Sequence, residues 1–528
     1  MKILQHLLLC VIFSSWLVDV EGQEKDCWII FKDKPEVDYN ITSMLSPASI
    51  ERREKHGLPI IDYHDLPVSA LYKEEIEKKG YPVLAESRWL NGVFVRIKKN
   101  QVVEFKNLPY VSEVISVGRS VSVCKHEELS FTPGSDDHEL ARMQLNAMEG
   151  ELFKNIDVDG RGIRIAVFDI GFKGVDKSPA FKHLFDNNQI AGTWDFVKDR
   201  EFVYDYGSHG TKVLSCITGN LNGIRTGLAS GAEFLLARTE VRAEKFIEEK
   251  NWFLAMEWAD RNGADIINSS LGYTYHRYFN WQMDGQSVLV SRVANIAASK
   301  GILVVNAMGN DGNSPWKFVG APADADSVLS VGGINPETGV HIAFSSYGPT
   351  ADLRRKPNVS AFGMALTSDT KSGLSTSYGT SFAAPLVTGF AACAMQLYPE
   401  DSNMEIFNRI EQSGSLYPYF DYVHGYGIPK ASRIIENQID MSAPTFSFEN
   451  SGDSVKIIID HSFYNGDYLY YHLENNEKSI LNKYGVVEVN SRVPLVMNKS
   501  EIRKNHVLNV FYRGYMGTFP MVMEIVER

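Results

Sequence analysis

Short strand candidates recur between residues 163 and 360: Ile163–Phe168, an almost unbroken apolar run, then Phe234–Thr239, Asp265–Asn268, Ile302–Val305, Val328–Gly332 and Pro357–Ser360. Runs without polar alternation suit strands that are covered on both faces. Helix-like stretches separate several of them, namely Ala243–Arg261, Gln286–Ser299 and the runs that follow His209 and Ser381. This alternation leaves few folds open. It predicts an α/β protein built on a doubly wound parallel sheet with helices on both faces. Open sheets of this kind place their sites at the carboxyl ends of the strands.

The polar residues at those ends are chemically pointed. Asp169 closes the first run and is followed by Ile170-Gly171. Ser208-His209-Gly210-Thr211 opens a helix-like run. Asn310 lies in the segment Asn306–Gly312, directly after a strand, where its amide can donate to an oxyanion. Gly379-Thr380-Ser381-Phe382-Ala383-Ala384-Pro385 is a small-residue turn, and the apolar run Phe382–Leu397 follows it with helical character. Ser381 therefore stands at a helix N-terminus, where unpaired N–H groups and the positive dipole end favour a developing anion. Such a serine suits a nucleophile if a base and an orienting acid lie elsewhere in the chain. Pro385 is expected within the first helical turn, where a missing N–H costs nothing.

Asp-x-Gly, His-Gly-Thr, Gly-Asn and Gly-Thr-Ser-x-Ala-x-Pro, in that order, resemble the subtilisin-type serine endopeptidases, or subtilases. The resemblance covers roughly Ile163 to Leu397. Ala237–Glu240, Asn251-Trp252 and Ala264–Tyr273 are worded like secreted subtilases of Bacteroidetes-type bacteria. The resemblance implies catalytic roles for Asp169, His209 and Ser381, an oxyanion hole containing Asn310, and a substrate-binding segment Ser270-Leu271-Gly272. For Ser270, a loop serine capping backbone groups carries similar weight. Leu386 departs from the family, which often has histidine after the proline. A catalytically silent subtilase fold used for binding is the alternative, and a peptide ligase a weaker third. Retention of all four site residues favours the hydrolase. The chemistry needs no cofactor. Many subtilases bind structural Ca²⁺, but the acidic stretch Asp195–Asp205 has no loop signature and reads as solvated carboxylates.

The chain has 528 residues, enough for several domains. Residues 1–22 read as a signal peptide: Lys2, then a mostly apolar stretch too short for a confident membrane span. Export to the cell surface or medium follows, with no transmembrane segment in the mature chain. Residues 23–125 alternate strand and helix, like the ferredoxin-like inhibitory propeptide of subtilases, which occupies the active-site groove until it is cut away. Residues 126–143 are a polar processing region, 144–437 the protease domain and 441–528 a C-terminal β-sandwich of open role. A net charge of −12 argues against nucleic acid and leaves protein or peptide substrates, with the propeptide as intramolecular inhibitor. Cys27 opens the first propeptide strand and Cys124 follows the last; the ferredoxin-like sheet that the resemblance implies makes those strands antiparallel neighbours, so the two are expected to form a disulfide. Cys216 and Cys393 read as buried core thiols.

Overall fold

The computed structural model describes residues 24–35, 44–117, 137–241, 247–275, 277–369, 373–438, 442–464, 466–475, 480–490, 493–499 and 506–520. The signal-like residues 1–22 and Cys124 lie outside them, and with Cys124 the expected pairing to Cys27. The chain divides into two units, residues 1–125 with 239–263, and residues 126–238 with 264–528.

In the first unit β1 (Glu24–Phe31), β2 (Ala85–Ser87), β3 (Gly92–Lys98) and β4 (Val111–Val117) form an antiparallel sheet in the order β2-β3-β1-β4. The first and last strands are neighbours, as expected, with Cys27 opposite Ser116. Side chains alternate between faces along a strand. Three helices follow β1 in this unit, α1 (Pro47–Lys55), α2 (Ala70–Lys78) and α3 (Val102–Lys106), and Cys27, Ile29, Val93, Val95 and Ile97 pack with Ile76 of α2 and Phe105 of α3. Trp28 and Phe94 take the other face, where Trp28 meets Phe253 at 5.8 Å between ring centroids. Phe253 belongs to α5 (Ile247–Arg261), a helix from the middle of the chain. Trp252 and Met256 on the same helix are fully buried and Trp258 partly so, as packing residues should be.

The second unit carries the expected doubly wound sheet. β5 (Arg164–Asp169), β6 (Ile190–Asp195), β7 (Glu233–Arg238), β8 (Ile266–Ser269), β9 (Leu303–Ala307), β10 (Val328–Ile334) and β11 (Val359–Phe362) pair in the order β11-β10-β9-β8-β5-β7-β6. Every pairing is parallel. Ile165 and Val167 share a core with α4 (His209–Thr218) and α7 (Thr380–Leu397), while Ala166 and Phe168 on the opposite face are equally buried. Burial of both faces explains the unbroken apolar runs. α6 (Leu289–Ser299) packs against β9 and β10. α7 is long and apolar enough to cross a membrane, but it is an internal core helix. Cys216 and Cys393 lie buried in α4 and α7, and burial raises both thiols.

The hairpin β12 (Met364–Ser368) and β13 (Leu374–Tyr378) leads into α7. The C-terminal strands β14 (Phe446–Ser451), β15 (Ser454–Ile459) and β18 (Leu495–Asn498) make one sheet. β16 (Tyr468–Glu474), β17 (Ile480–Glu488), β19 (Val507–Tyr512) and β20 (Tyr515–Pro520) make another. Phe446, Val455, Ile457 and Ile459 of the first sheet share a core with Leu469, Leu508 and Val510 of the second, which makes this a sandwich. It is anchored to the loop of residues 414–430, which follows α7 in the chain, by Tyr419, whose ring lies 5.9 Å from Phe511 and 4.8 Å from His472.

Candidate active site

Asp169 is the last residue of β5 and is fully buried. Its carboxylate accepts the Ile170 N–H at 2.8 Å. It faces His209 Nδ1 at 3.0 and 2.9 Å through its two oxygens. His209 opens α4, and Gly210 is what permits the approach. A Cβ on Gly210 would lie 2.4 Å from the Gly171 carbonyl oxygen and 2.8 Å from Asp169 Cβ. A carboxylate at Nδ1 holds the tautomer in which Nε2 carries the lone pair. The imidazole also packs against Phe382, the residue after Ser381, with ring centroids 5.4 Å apart.

Ser381 sits in the first turn of α7. Gly379, just before the helix, has φ +141°, a conformation that side chains disfavour. Ser381 and Ser270 bind each other reciprocally. Ser381 Oγ donates to the Ser270 carbonyl at 3.1 Å, and Ser270 Oγ donates to the Ser381 carbonyl at 2.9 Å. Pro385 explains the second bond. The helix starts at Thr380, so Pro385 falls one turn further in than expected, where its nitrogen should have donated to Ser381 O four residues back. Proline has no N–H, and Ser270 Oγ supplies the missing donor. Asn268 Nδ2 donates to Ser270 Oγ at 3.1 Å, and Thr388 Oγ1 donates to Asn268 Oδ1 at 2.9 Å. A hydrogen-bonded chain thus runs from inside α7, through the end of β8, back to the serine. Of the two roles weighed for Ser270, its side chain performs the cap.

Asn310 follows β9 and is solvent-exposed. Its Oδ1 accepts from Thr380 N at 2.8 Å and Thr380 Oγ1 at 2.9 Å. The carboxamide is therefore held in one orientation, with Nδ2 lacking a protein acceptor among the described residues. This is the end that can donate to an oxyanion. Leu271 and Gly272 continue from β8, with the Leu271 carbonyl fixed by Asn306 Nδ2 at 2.9 Å. Tyr273 pairs with Ala321 through N–H to O bonds of 2.8 and 3.1 Å. Beside Gly272 there is open space, since a Cβ there would meet nothing closer than the Ala321 carbonyl oxygen at 3.9 Å. Leu386 is buried in α7.

One expectation is corrected. Asp195 is not solvated: it is fully buried, pairs with Arg238 at 2.9 Å and caps the Val197 and Lys198 amides at 3.0 Å. Its neighbour Asp205 pairs with Arg200 and Lys198. Among the described residues no cluster of His, Cys, Asp or Glu side chains is arranged to hold a metal ion. The Asn268, Thr380 and Thr388 contributions escape sequence reading, because each depends on hydrogen bonds to residues the fold brings to it.

Comparison with known proteins bears on this geometry. Residues 160–427 match the subtilase family, Peptidase S8. Residues 26–131 match the Peptidase S8 propeptide domain of Bacteroidota. The chain is 28% identical to subtilisin NAT of Bacillus subtilis subsp. natto over 365 residues, 68% of this chain and 84% of that protein. It is 27% identical to a thermostable alkaline protease of Halalkalibacterium halodurans over 395 residues, 74% of this chain and 94% of that protein. In fold it is similar to the epidermin leader peptide processing serine protease of Staphylococcus aureus, with a TM-score of 0.56 at 17% identity. That match covers 80% of this chain and all of the other.

Proposed function

This chain belongs to the subtilase family and is a subtilisin-like serine endopeptidase, and from that premise we propose that it is exported as a zymogen and cuts peptide bonds with Asp169, His209 and Ser381. The observation that carries the reading is the contact of 2.9–3.0 Å between Asp169 and His209, set against the first turn of the helix that bears Ser381.

Ser381 Oγ leaves the Ser270 carbonyl and attacks the scissile carbonyl carbon. His209 Nε2 takes the hydroxyl proton and later returns it to the leaving amine. Asp169 fixes the ring and stabilises the imidazolium. The oxyanion is met by Asn310 Nδ2, already aimed by Thr380, and by the Ser381 backbone N–H. An extended substrate pairs along Ser270–Gly272, where the space beside Gly272 admits it. The N-terminal domain holds the enzyme inactive until the chain is cut within residues 126–143, and residues 1–22 direct export. The domain boundaries stated above follow the same reading. The reaction asks nothing of a metal or cofactor.

The test compares wild type with Ser381→Ala. Wild-type protein is expected to cut itself into two pieces and to react with a serine-directed fluorophosphonate. Ser381→Ala should stay full length and unlabelled. A wild-type protein that is folded, freed of residues 1–143 and still unreactive would favour the silent binding fold instead.

A further inference from the structure

Asn310 is exposed on a turn after β9, yet the oxyanion role asks for a donor fixed to a fraction of an ångström. Thr380 fixes its side chain through Oδ1. The backbone is anchored elsewhere, and the peptide groups on both sides of Asn310 bind one residue, Ser346. The Gly309 carbonyl accepts the Ser346 N–H at 2.9 Å, and the Asp311 N–H donates to Ser346 Oγ at 3.1 Å. One residue further on, the Gly312 N–H donates to the Phe344 carbonyl at 2.7 Å. Residues 309–312 thus lie along residues 344–346, with Asn310 between the two bonds to Ser346.

Two glycines permit so close an approach. Gly309 has φ +111°, and a Cβ on it would stand 2.8 Å from Ser346 Oγ. A Cβ on Gly312 would stand 2.2 Å from the Ser345 carbonyl oxygen. Ser346 has no exposed surface, and Oγ of its neighbour Ser345 accepts the Gly333 N–H of β10 at 2.9 Å. The segment that holds Asn310 is therefore tied to the central sheet.

We propose that Ser346 is a positioning residue for the oxyanion hole: its hydroxyl and its N–H hold the two peptide groups that flank Asn310, and so place Nδ2 where charge develops. The inference rests on the catalytic reading of Asn310 given above. Thr380 and Ser346 divide the task. Thr380 sets where the carboxamide points, and Ser346 sets where its backbone sits. Without the hydroxyl, the Asp311 N–H loses its acceptor, and the peptide joining Asn310 to Asp311 can turn and carry the side chain off line. Ser346 is enclosed and touches no substrate, so its removal should fall on kcat and leave KM nearly unchanged.

The test is a double-mutant cycle in steady-state peptide hydrolysis, with active sites counted by fluorophosphonate titration and folding followed by melting curves. Ser346→Ala is expected to lower kcat about 10- to 100-fold with KM within about twofold of wild type. Added to Asn310→Ala, it is expected to cost less than about twofold more, because no carboxamide is left to aim. A merely structural role would lower kcat by the same factor in both backgrounds, or lower the melting temperature and spare kcat per titrated site. Ser346→Cys keeps a weak acceptor in the same place. It is expected to lose less than Ser346→Ala, and it carries the cycle if the alanine variant does not fold. A kcat for Ser346→Ala within about twofold of wild type, or an equal loss in the two backgrounds, would overturn the inference alone. A wild-type protein that hydrolyses no better than Ser381→Ala would instead overturn the proposed function, and this inference with it.

Discussion

Two carboxylate–imidazole pairs stand in this molecule with nearly the same dimensions. Asp169 meets His209 Nδ1 at 3.0 and 2.9 Å, and Asp421 meets His424 Nδ1 at 3.0 and 3.0 Å. Both histidines are followed by glycine, and both carboxylates are buried. They differ in what surrounds the far side of the ring. His424 Nε2 accepts the His341 backbone N–H at 3.1 Å, its ring stands edge-on to Tyr470 at 5.3 Å, and its side chain is 4% exposed. His209 is 17% exposed and lies against the residue that follows the serine. An orienting acid is thus no sign of catalysis by itself. In the first pair, under the proposed function, it points a base at Ser381. In the second it fastens a loop to the protein, and the C-terminal sandwich packs on that loop.

The contrast can be broken by substitution. His209→Ala should lower kcat by roughly 10⁶-fold while the chain still folds, checked by steady-state peptide hydrolysis beside a melting curve. His424→Leu should do the reverse. It strands Asp421 in the interior, which costs about 3–5 kcal/mol and lowers the melting temperature by several degrees, while kcat/KM of the folded fraction changes less than about threefold. A folded His424→Leu protein without activity would show that the two pairs are not separate devices. Asn310→Ala sharpens the first pair's side, with an expected loss of about 10²–10³-fold in kcat at nearly constant KM.

The smallest effect belongs to the second pair's surroundings. Burial, with the neighbouring His424 adding to it, pushes the His341 imidazole down to about 4, and the ring donates from Nε2 to the Ser345 carbonyl at 2.9 Å. Between the ordinary histidine value of 6.5 and about 4, the unfolded chain binds a proton that the folded chain refuses. Stability is therefore complete above that window and declines as pH falls through it. Melting of the Ser381→Ala protein from pH 7 to pH 4 should show a drop of a few degrees, and His341→Gln should make it shallower.

Much of this was legible before any coordinates. Asp169, His209, Asn310 and Ser381 draw the eye because each lies at or just past a strand end or at a helix start, close to a glycine, and the buried strands because they tolerate so little polarity. The illegible parts are short, half-exposed or locally paired strands, or charged groups whose partners are distant in sequence. β6 sits at the sheet's edge with mostly half-exposed residues, and β2 has three residues, so neither shows a periodic signal. Among the described residues, the polar strand Leu374–Tyr378 pairs only with its own hairpin partner. Asp195 and Asp260 look like surface acids until Arg238, or Arg52, Arg53 and Arg88, are brought to them. Ser270 could be assigned either role until Pro385 was placed in α7 and left the Ser381 carbonyl without its donor.

One consequence follows from the helix that carries Ser381. Thr380 through Met395 are all buried, so the Ser381 hydroxyl hangs from a rod enclosed along nearly its whole length. Opening that rod locally would cost nearly as much as unfolding everything around it. Ageing preparations should therefore lose activity molecule by molecule, through whole-domain collapse or nicking by sister enzymes at outlying loops, while each surviving molecule works at its full rate.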